Sequence, residues 1–465
     1  MRSPMRDATL ALIAVVTTGC LVGPNYKRPT QPVPAAFRGD AATASPTATS
    51  LADQKWTAIF QDDALQALIR TALAQNADVQ RAAARILEAQ AQLGITRADQ
   101  FPNVTAGVNV LGERPSVALG FPSTNVVAFE VQTSMSWELD FWGRYRRANE
   151  AARATLVAAE WAQRAVVTTL ISQVANAYFG LRALDLELDI SQRTLASRQE
   201  SLRLTQVREQ GGATSMVDVR QAEQLVYAAT GEIATLEREI EQQENFISVL
   251  VGGNPGPVTR GRALAEQTQP PDVPAGLPSA LIDRRPDIQQ AEQQLIAANA
   301  QIGVARAAYF PDVALTGSGG FESTALSALF RGVNFIWTAT AGATQSIFNA
   351  GRTRSRVALT QAQRDELIVV YQQSIRQGFL EVSNALVGYR KQREFREQEA
   401  LLLTSAQDLR RLAQIRYEGG ATSYLEVLDA DTRLFDAQLG LAEAQVGELD
   451  DLVELYRALG GGWQP

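Results

Sequence analysis

The sequence is written twice, and this constrains the fold more than any other feature, because whatever one half folds into the other half must repeat. Shifted by 209 positions, residues 77–104 align with residues 286–313, keeping Asp78 with Asp287, Gln92 with Gln301, Gly94 with Gly303, Arg97 with Arg306 and Phe101-Pro102 with Phe310-Pro311. A one-residue change then sets the offset to 208. That offset matches Gly143-Arg144 with Gly351-Arg352, Arg208 with Arg416, the pentapeptide GGATS at 211–215 with its copy at 419–423, and Gly252-Gly253 with Gly460-Gly461. Chance does not hold one register over so many blocks. The chain is a tandem duplication whose halves are joined by a Pro/Gly-rich connector from Gly252 to about Pro278.

Each half carries the same internal order. A helix of about two dozen residues starts near Asp78 or Asp287 and stops at the Phe-Pro pair, which disfavours further helix. Two β-like stretches follow, 104–111 with 127–137 in the first half and 313–321 with 335–347 in the second. In 127–137, Val127, Phe129, Val131, Thr133, Met135 and Trp137 fall on one face, and Glu130, Gln132, Ser134 and Ser136 on the other. Next comes a very long helix, 144–207 or 352–415, then a glycine turn, then a shorter helix returning over 215–250 or 423–459. At 1.5 Å per residue the long helix spans roughly 96 Å, the returning helix roughly 54 Å and the first helix roughly 32 to 36 Å. The two shorter helices stacked end to end thus match the long one, so the half-repeat is a two-rod hairpin with two strands at one end.

The long helix carries a narrow apolar seam of Val167, Val174, Leu181, Leu188, Leu195 and Leu202, seven residues apart, the spacing of left-handed coiled-coil packing. Its copy has Ile368, Ile375, Val382 and Tyr389, then slips one residue to Phe395, Leu402 and Leu409. Periodicity alone suits either an ordinary coiled coil or a hollow cylinder that is wet inside and out.

Composition removes most chemistry. With no histidine, one cysteine and four methionines, the chain lacks the parts for a Ser/His/Asp triad, a Cys/His pair or most transition-metal sites. Its formal net charge of −7 offers no basic face for nucleic acid. Arg2 and Arg6, the apolar run 10–16 and the small Thr17-Thr18-Gly19 before Cys20 read as a secretion signal with an acylated cysteine, although Thr17 stands where leucine is usual. No later stretch supplies about eighteen consecutive apolar residues, so a membrane could be crossed only by a closed β-barrel. Four strands cannot close one; about twelve strands from three chains would leave a passage. Trp137, Phe141, Trp142, Phe335, Trp337 and Phe348 lie near strand ends, as an interfacial aromatic belt or as residues buried where strand meets helix.

The segments CLVGPNYKRP at 20–29, LPSALIDRRPDIQQAEQQLIAANAQIGVARAAYFPDVALTGS at 277–318, RYEGGATSYLEVLDA at 416–430 and YRALGGGW at 456–463 resemble the TolC-type outer membrane factors, in the lipoprotein branch serving resistance-nodulation-division efflux systems. The resemblance covers essentially the whole mature chain. It implies a mainly α protein with a membrane β-barrel: a homotrimer with a twelve-stranded outer-membrane barrel, four strands per chain, continuous with a long periplasmic α-helical barrel. The implied partners are a periplasmic adaptor, an inner-membrane resistance-nodulation-division transporter that supplies the energy, and outer-membrane lipid. No catalysis, cofactor, metal or nucleic acid is implied, and the substrate is left open. The expected division is a signal peptide at 1–19, a lipidated N-terminus and equatorial segment at 20–76, a first repeat at 77–251, an equatorial connector at 252–285, a second repeat at 286–459 and a tail at 460–465. A periplasmic coiled-coil tether without a pore is the rival reading.

Three groups of residues are candidates for function. Cys20 is the lipidation site. In the turns between long and returning helices, Gly211, Gly212, Gly419 and Gly420 supply positive φ, Ser215 and Ser423 sit where a helix cap belongs, and Arg208 and Arg416 stand one turn earlier. Turn chemistry accounts for the glycines and serines; the resemblance makes these turns the docking tips for the adaptor. Asp218, Glu426, Asp429 and Asp431 begin the returning helices, where they favour the helix dipole or, facing a three-fold axis, would form a cation-selecting ring at the periplasmic gate.

Overall fold

A computed structural model describes residues 21–38, 50–114, 125–267 and 278–463. The signal segment, Cys20, part of the connector and the last two residues lie outside the described residues. In chain order the main elements are α1 (Asp63–Gln75), α2 (Ala77–Ala98), β1 (Asn103–Glu113), β2 (Val126–Leu139), α3 (Arg144–Gln210), α4 (Met216–Leu250), α5 (Pro278–Arg284), α6 (Pro286–Ala307), β3 (Asp312–Ser323), β4 (Phe335–Thr344), α7 (Arg352–Glu418) and α8 (Tyr424–Ala458). The duplication is carried into the elements almost residue for residue: α2 and α6 have 22 residues each, α3 and α7 have 67, α4 and α8 have 35.

Glycine pairs end the long elements. The amides of Gly212 and Ala213 bond the carbonyls of Glu209 and Arg208, and those of Gly420 and Ala421 bond Tyr417 and Arg416. The same double bond closes α4 at Gly252-Gly253 and α8 at Gly460-Gly461. In each pair the first-bonded residue, Gly212, Gly420, Gly252 or Gly460, has positive φ, as the Schellman cap requires. Within the two tip turns only the second glycine is left-handed; Gly211 and Gly419 are not.

The chain forms two compact units. The first takes the start of the described chain up to Thr30, with 85–160 and 290–372. It holds one antiparallel sheet in the order β1-β2-β3-β4, so the two repeats join through β2 and β3, and β1 and β4 are left as edges. The second unit takes 31–84, 161–289 and 373–465. Its core packs Leu65 and Ile69 of α1 with Val174, Tyr178 and Phe179 of α3, Val382 of α7, and Leu452, Leu455 and Tyr456 of α8.

α1 and α5 form inside segments that periodicity left without structure; α1 is capped by Asp62, whose carboxylate accepts the amides of Ala64 and Leu65. The seam of α3 is buried or half-buried throughout. The seam of α7 does not slip: Phe395, Leu402 and Leu409 are exposed, while Arg396, Leu403, Ala406, Arg410, Ala413 and Tyr417 turn inward. The apolar pattern misled there because the inward positions hold arginines neutralised by partners: Arg396 by the buried Glu448, Arg410 by Asp431.

Candidate channel surfaces

The sheet is two-faced. Cross-strand partners share a face, and the register places Val104, Val108 and Val110 with Met135, Val131 and Phe129, and these in turn with Gly317, Phe321 and Ser323. Phe321 then pairs with Phe335, and Gly319 with Trp337. This face is apolar and largely exposed, with Trp337 at 69% and Val108 at 74%. The opposite face carries Asn109, Glu130, Gln132, Ser134, Ser318 and Thr338. Gln132 donates to Ser318 at 3.0 Å, Ser318 and Thr338 share a hydrogen bond of 2.8 Å, and Asn109 donates to Glu130 at 3.3 Å. An exposed apolar face backed by a hydrogen-bonded polar face is what a barrel wall between lipid and water needs. At Gly320 a side chain would put its Cβ 2.1 Å from the Val131 carbonyl oxygen, so glycine lets β2 and β3 close up there.

The six aromatic residues divide. The Trp137 indole donates to the Gln100 carbonyl at 3.0 Å and Trp142 to that of Pro311 at 2.8 Å, with Trp142 stacked on Phe310 at 4.7 Å. Trp137 thus ties β2 to the turn that follows α2, and Trp142 ties the β2–α3 turn to the α6–β3 turn; Phe141 is half-buried. Phe335, Trp337 and Phe348 are exposed.

In the second unit, the two tip turns share a backbone and differ in side chains. Ser215 caps α4 reciprocally: its hydroxyl accepts the Asp218 amide, while the Asp218 carboxylate accepts the Ser215 amide at 3.0 Å and the Thr214 hydroxyl. That Thr214 bond and the Ser215 amide hold the Asp218 carboxyl below the usual carboxylate range. Ser423 stands at the cap of α8 but makes no side-chain cap bond; Thr422 bonds Glu426 instead. Arg416 pairs with Glu426 at 2.7 Å, and both are substantially exposed. The Arg208 guanidinium lies 4.7 Å from the Tyr417 ring centre, and Tyr417 packs on Tyr424. Thus Arg208, from the first repeat, touches the turn of the second.

The four gate candidates are not equivalent. Asp218 and Glu426 are engaged in their own turns, and Asp429 makes an exposed pair with Arg433 at 2.8 Å. Asp431 lies inside, bonded to the Arg198 guanidinium at 3.1 Å with Arg410 at 3.9 Å. Arg198, which the sequence reading passed over, is 6% exposed and also donates to the Leu225 carbonyl. Its heptad neighbourhood is polar, and nothing in a linear pattern sets it apart from the solvated arginines of the same helix.

Among the described residues no helix is long and apolar enough to cross a membrane, and no group of three or more His, Cys, Asp or Glu could hold a metal ion. The family model of the outer membrane efflux protein matches residues 68–253 and again 277–461, once for each repeat. The chain is 36% identical to the probable efflux pump outer membrane protein TtgC of Pseudomonas putida, over 98% of this chain and 95% of that one. It is 34% identical to the cation efflux system protein CusC of Escherichia coli, over 97% and 98%. It is also similar to the open state of the MtrE outer membrane channel of Neisseria gonorrhoeae, with a TM-score of 0.88, 30% identity and coverage of 96% and 99%.

Proposed function

Because this chain belongs to the outer membrane efflux protein family, we propose that it is the outer-membrane channel of a tripartite efflux pump, a passive exit duct for drugs or other small molecules. The observation that carries this is the two-faced sheet with open edges at β1 and β4. An unpaired edge beside an exposed apolar face is unstable in water and in lipid alike unless another strand closes it. Three copies supply twelve strands, enough for a barrel with the polar face around a passage. The protein works in the outer membrane of a Gram-negative bacterium, with Cys20 acylated and the helices in the periplasm.

Energy and substrate choice belong to an inner-membrane resistance-nodulation-division transporter, which delivers solute through a periplasmic adaptor. As in the family it belongs to, the protein is a conduit and not an enzyme. The two turns at 208–215 and 416–423 are the adaptor's docking tips, and Asp429, whose pair with Arg433 is exposed, contributes to the gate. Electron microscopy of the purified particle tests the assembly: a hollow three-fold particle is expected, whereas a solid coiled-coil rod would favour a tether.

A further inference from the structure

The first described residues do not trail from the fold; they are stitched into it. The Val22 amide donates to the Trp142 carbonyl at 3.1 Å. The Arg147 side chain, 2% exposed, donates to the Val22 and Gly23 carbonyls and, at 2.8 Å, to the Asn25 side chain. Asn299 of α6 donates to the Pro24 carbonyl at 2.9 Å. Glu292, about two turns before it, accepts Tyr26 at 3.0 Å and two nitrogens of Arg28 at 2.7 and 2.6 Å. Gly23, at φ +104°, lies so close to Gly303 that a Cβ on it would come within 2.5 Å of the Gly303 Cα.

The groove that receives this segment is built from both repeats, α3 from the first and α6 from the second, and the duplication shows that it is special. At the matched positions of the other copy, Glu292, Asn299 and Gly303 correspond to Ala83, Gln90 and Gly94, and Arg147 to Ser355. The two glycines occupy the same place in the repeat and have opposite surroundings. A Cβ on Gly94 meets nothing within 4 Å; a Cβ on Gly303 would meet the Arg147 Cγ at 2.7 Å and the Val22 carbonyl oxygen at 2.8 Å. The groove also lies where the strands of the two repeats meet. Trp142, whose carbonyl holds Val22, follows β2, and its indole holds Pro311, the residue before β3.

We propose that residues 21–28 are a clasp: the groove between α3 and α6 binds this N-terminal segment of the same chain, and its docking keeps the two repeats in register at the foot of the β2–β3 pair. Arg147 and Glu292 are its positioning residues. The buried Arg147 guanidinium makes docking all-or-none, because without the segment it would lose three acceptors while keeping only Glu150.

Hydrogen exchange by mass spectrometry on the purified full-length protein tests this, with Gly303→Ala as the variant and Gly94→Ala as the matched control. In the wild type the Val22 amide exchanges as slowly as the β2–β3 ladder. Gly303→Ala speeds Val22 exchange at least tenfold and loosens the ladder around Leu139 and Val313 several-fold, while Gly94→Ala leaves Val22 unchanged. Should Gly303→Ala fail to fold, Glu292→Ala, which frees Tyr26 and Arg28 without filling the groove, gives the same pattern more weakly. Fast Val22 exchange in the wild type, or a freed segment over an unchanged β2–β3 ladder, overturns the proposal.

Discussion

The hydroxyl of Tyr178 donates to the Asp62 carboxylate at 3.0 Å and accepts the amide of Gly261 at 2.8 Å. Asp62 also accepts the Arg262 amide at 2.8 Å and the Gln267 side chain at 2.9 Å, so one buried carboxylate joins the start of α1, the middle of α3 and the connector between repeats. A Cβ on Gly261 would sit 2.1 Å from an Asp62 oxygen. Gly261→Ala should therefore destabilise the protein by about 1 to 3 kcal/mol, and Asp62→Ala by about 3 kcal/mol through lost charge-assisted bonds. Thermal melting followed by circular dichroism measures both.

The same carboxylate sets an acid limit. Burial alone would raise its pKa, but the bonds from Gln267, the Leu65 amide, Tyr178 and the Arg262 amide outweigh burial and hold it below the usual range. A depressed folded pKa means that this stabilisation is complete above the unfolded value of about 3.9 and is lost as pH falls through the folded value. Asp62→Asn should flatten the acid side of the melting profile.

Two other carboxyls act in the opposite sense. Burial pushes Glu187 up to about 7, helped by Glu443, Glu239 and Glu232. Burial with the neighbouring Asp451 pushes Asp450 up to about 7, and one of its oxygens is buried without a hydrogen-bond partner. With the folded pKa raised, the stabilisation is present below the unfolded value and is lost as pH rises through about 7. Glu187→Gln and Asp450→Asn should each raise the melting temperature at pH 8 and leave it little changed at pH 4. A rise of equal size at both pH values would show packing rather than charge to be the cause.

Much of this architecture is legible in the sequence because the duplication checks every element against its copy. Alternation marked both faces of β2, and the glycine pairs marked the helix ends. What stayed hidden depends on partners distant in sequence. Asp62 has no local feature that distinguishes it from Asp63, and its partners lie 116 and 205 residues away. The inward face of α7 was missed because its arginines are neutralised by α8. Arg147 reads as one member of a run of arginines, and only its burial against residues 22–25 reveals its role. Asp431 is likewise set apart from the other three acids only by its bond to Arg198, 233 residues away.

That difference is testable. Asp431→Ala leaves the buried Arg198 without its carboxylate and should cost about 3 to 5 kcal/mol. Asp429→Ala removes an exposed pair worth less than about 1 kcal/mol and should lower cation preference and block by trivalent cations at normal stability. Selectivity unchanged in Asp429→Ala and Glu426→Ala would remove the acidic ring.

At the tips, Arg208→Ala with Arg416→Ala removes a half-buried ring contact and an exposed ion pair, so oligomer yield and membrane insertion should stay normal while efflux-dependent resistance is lost. Adaptor cross-linking and export retained in the double variant would contradict docking there; a lost oligomer would make the turns purely structural.

Planar-bilayer recording of adjacent substitutions on the two faces of the sheet tests most directly whether it is a wall between lipid and a water-filled passage. The wild-type protein, or a variant opened at the gate, should give discrete ion-conducting steps. Val131→Arg, on the apolar face, should prevent insertion, at a cost of about 2 to 4 kcal/mol near the bilayer midplane, whereas Gln132→Arg, on the polar face, should insert normally and shift conductance or ion preference. Insertion of both variants with identical currents, or protein that inserts yet never conducts, would contradict the channel.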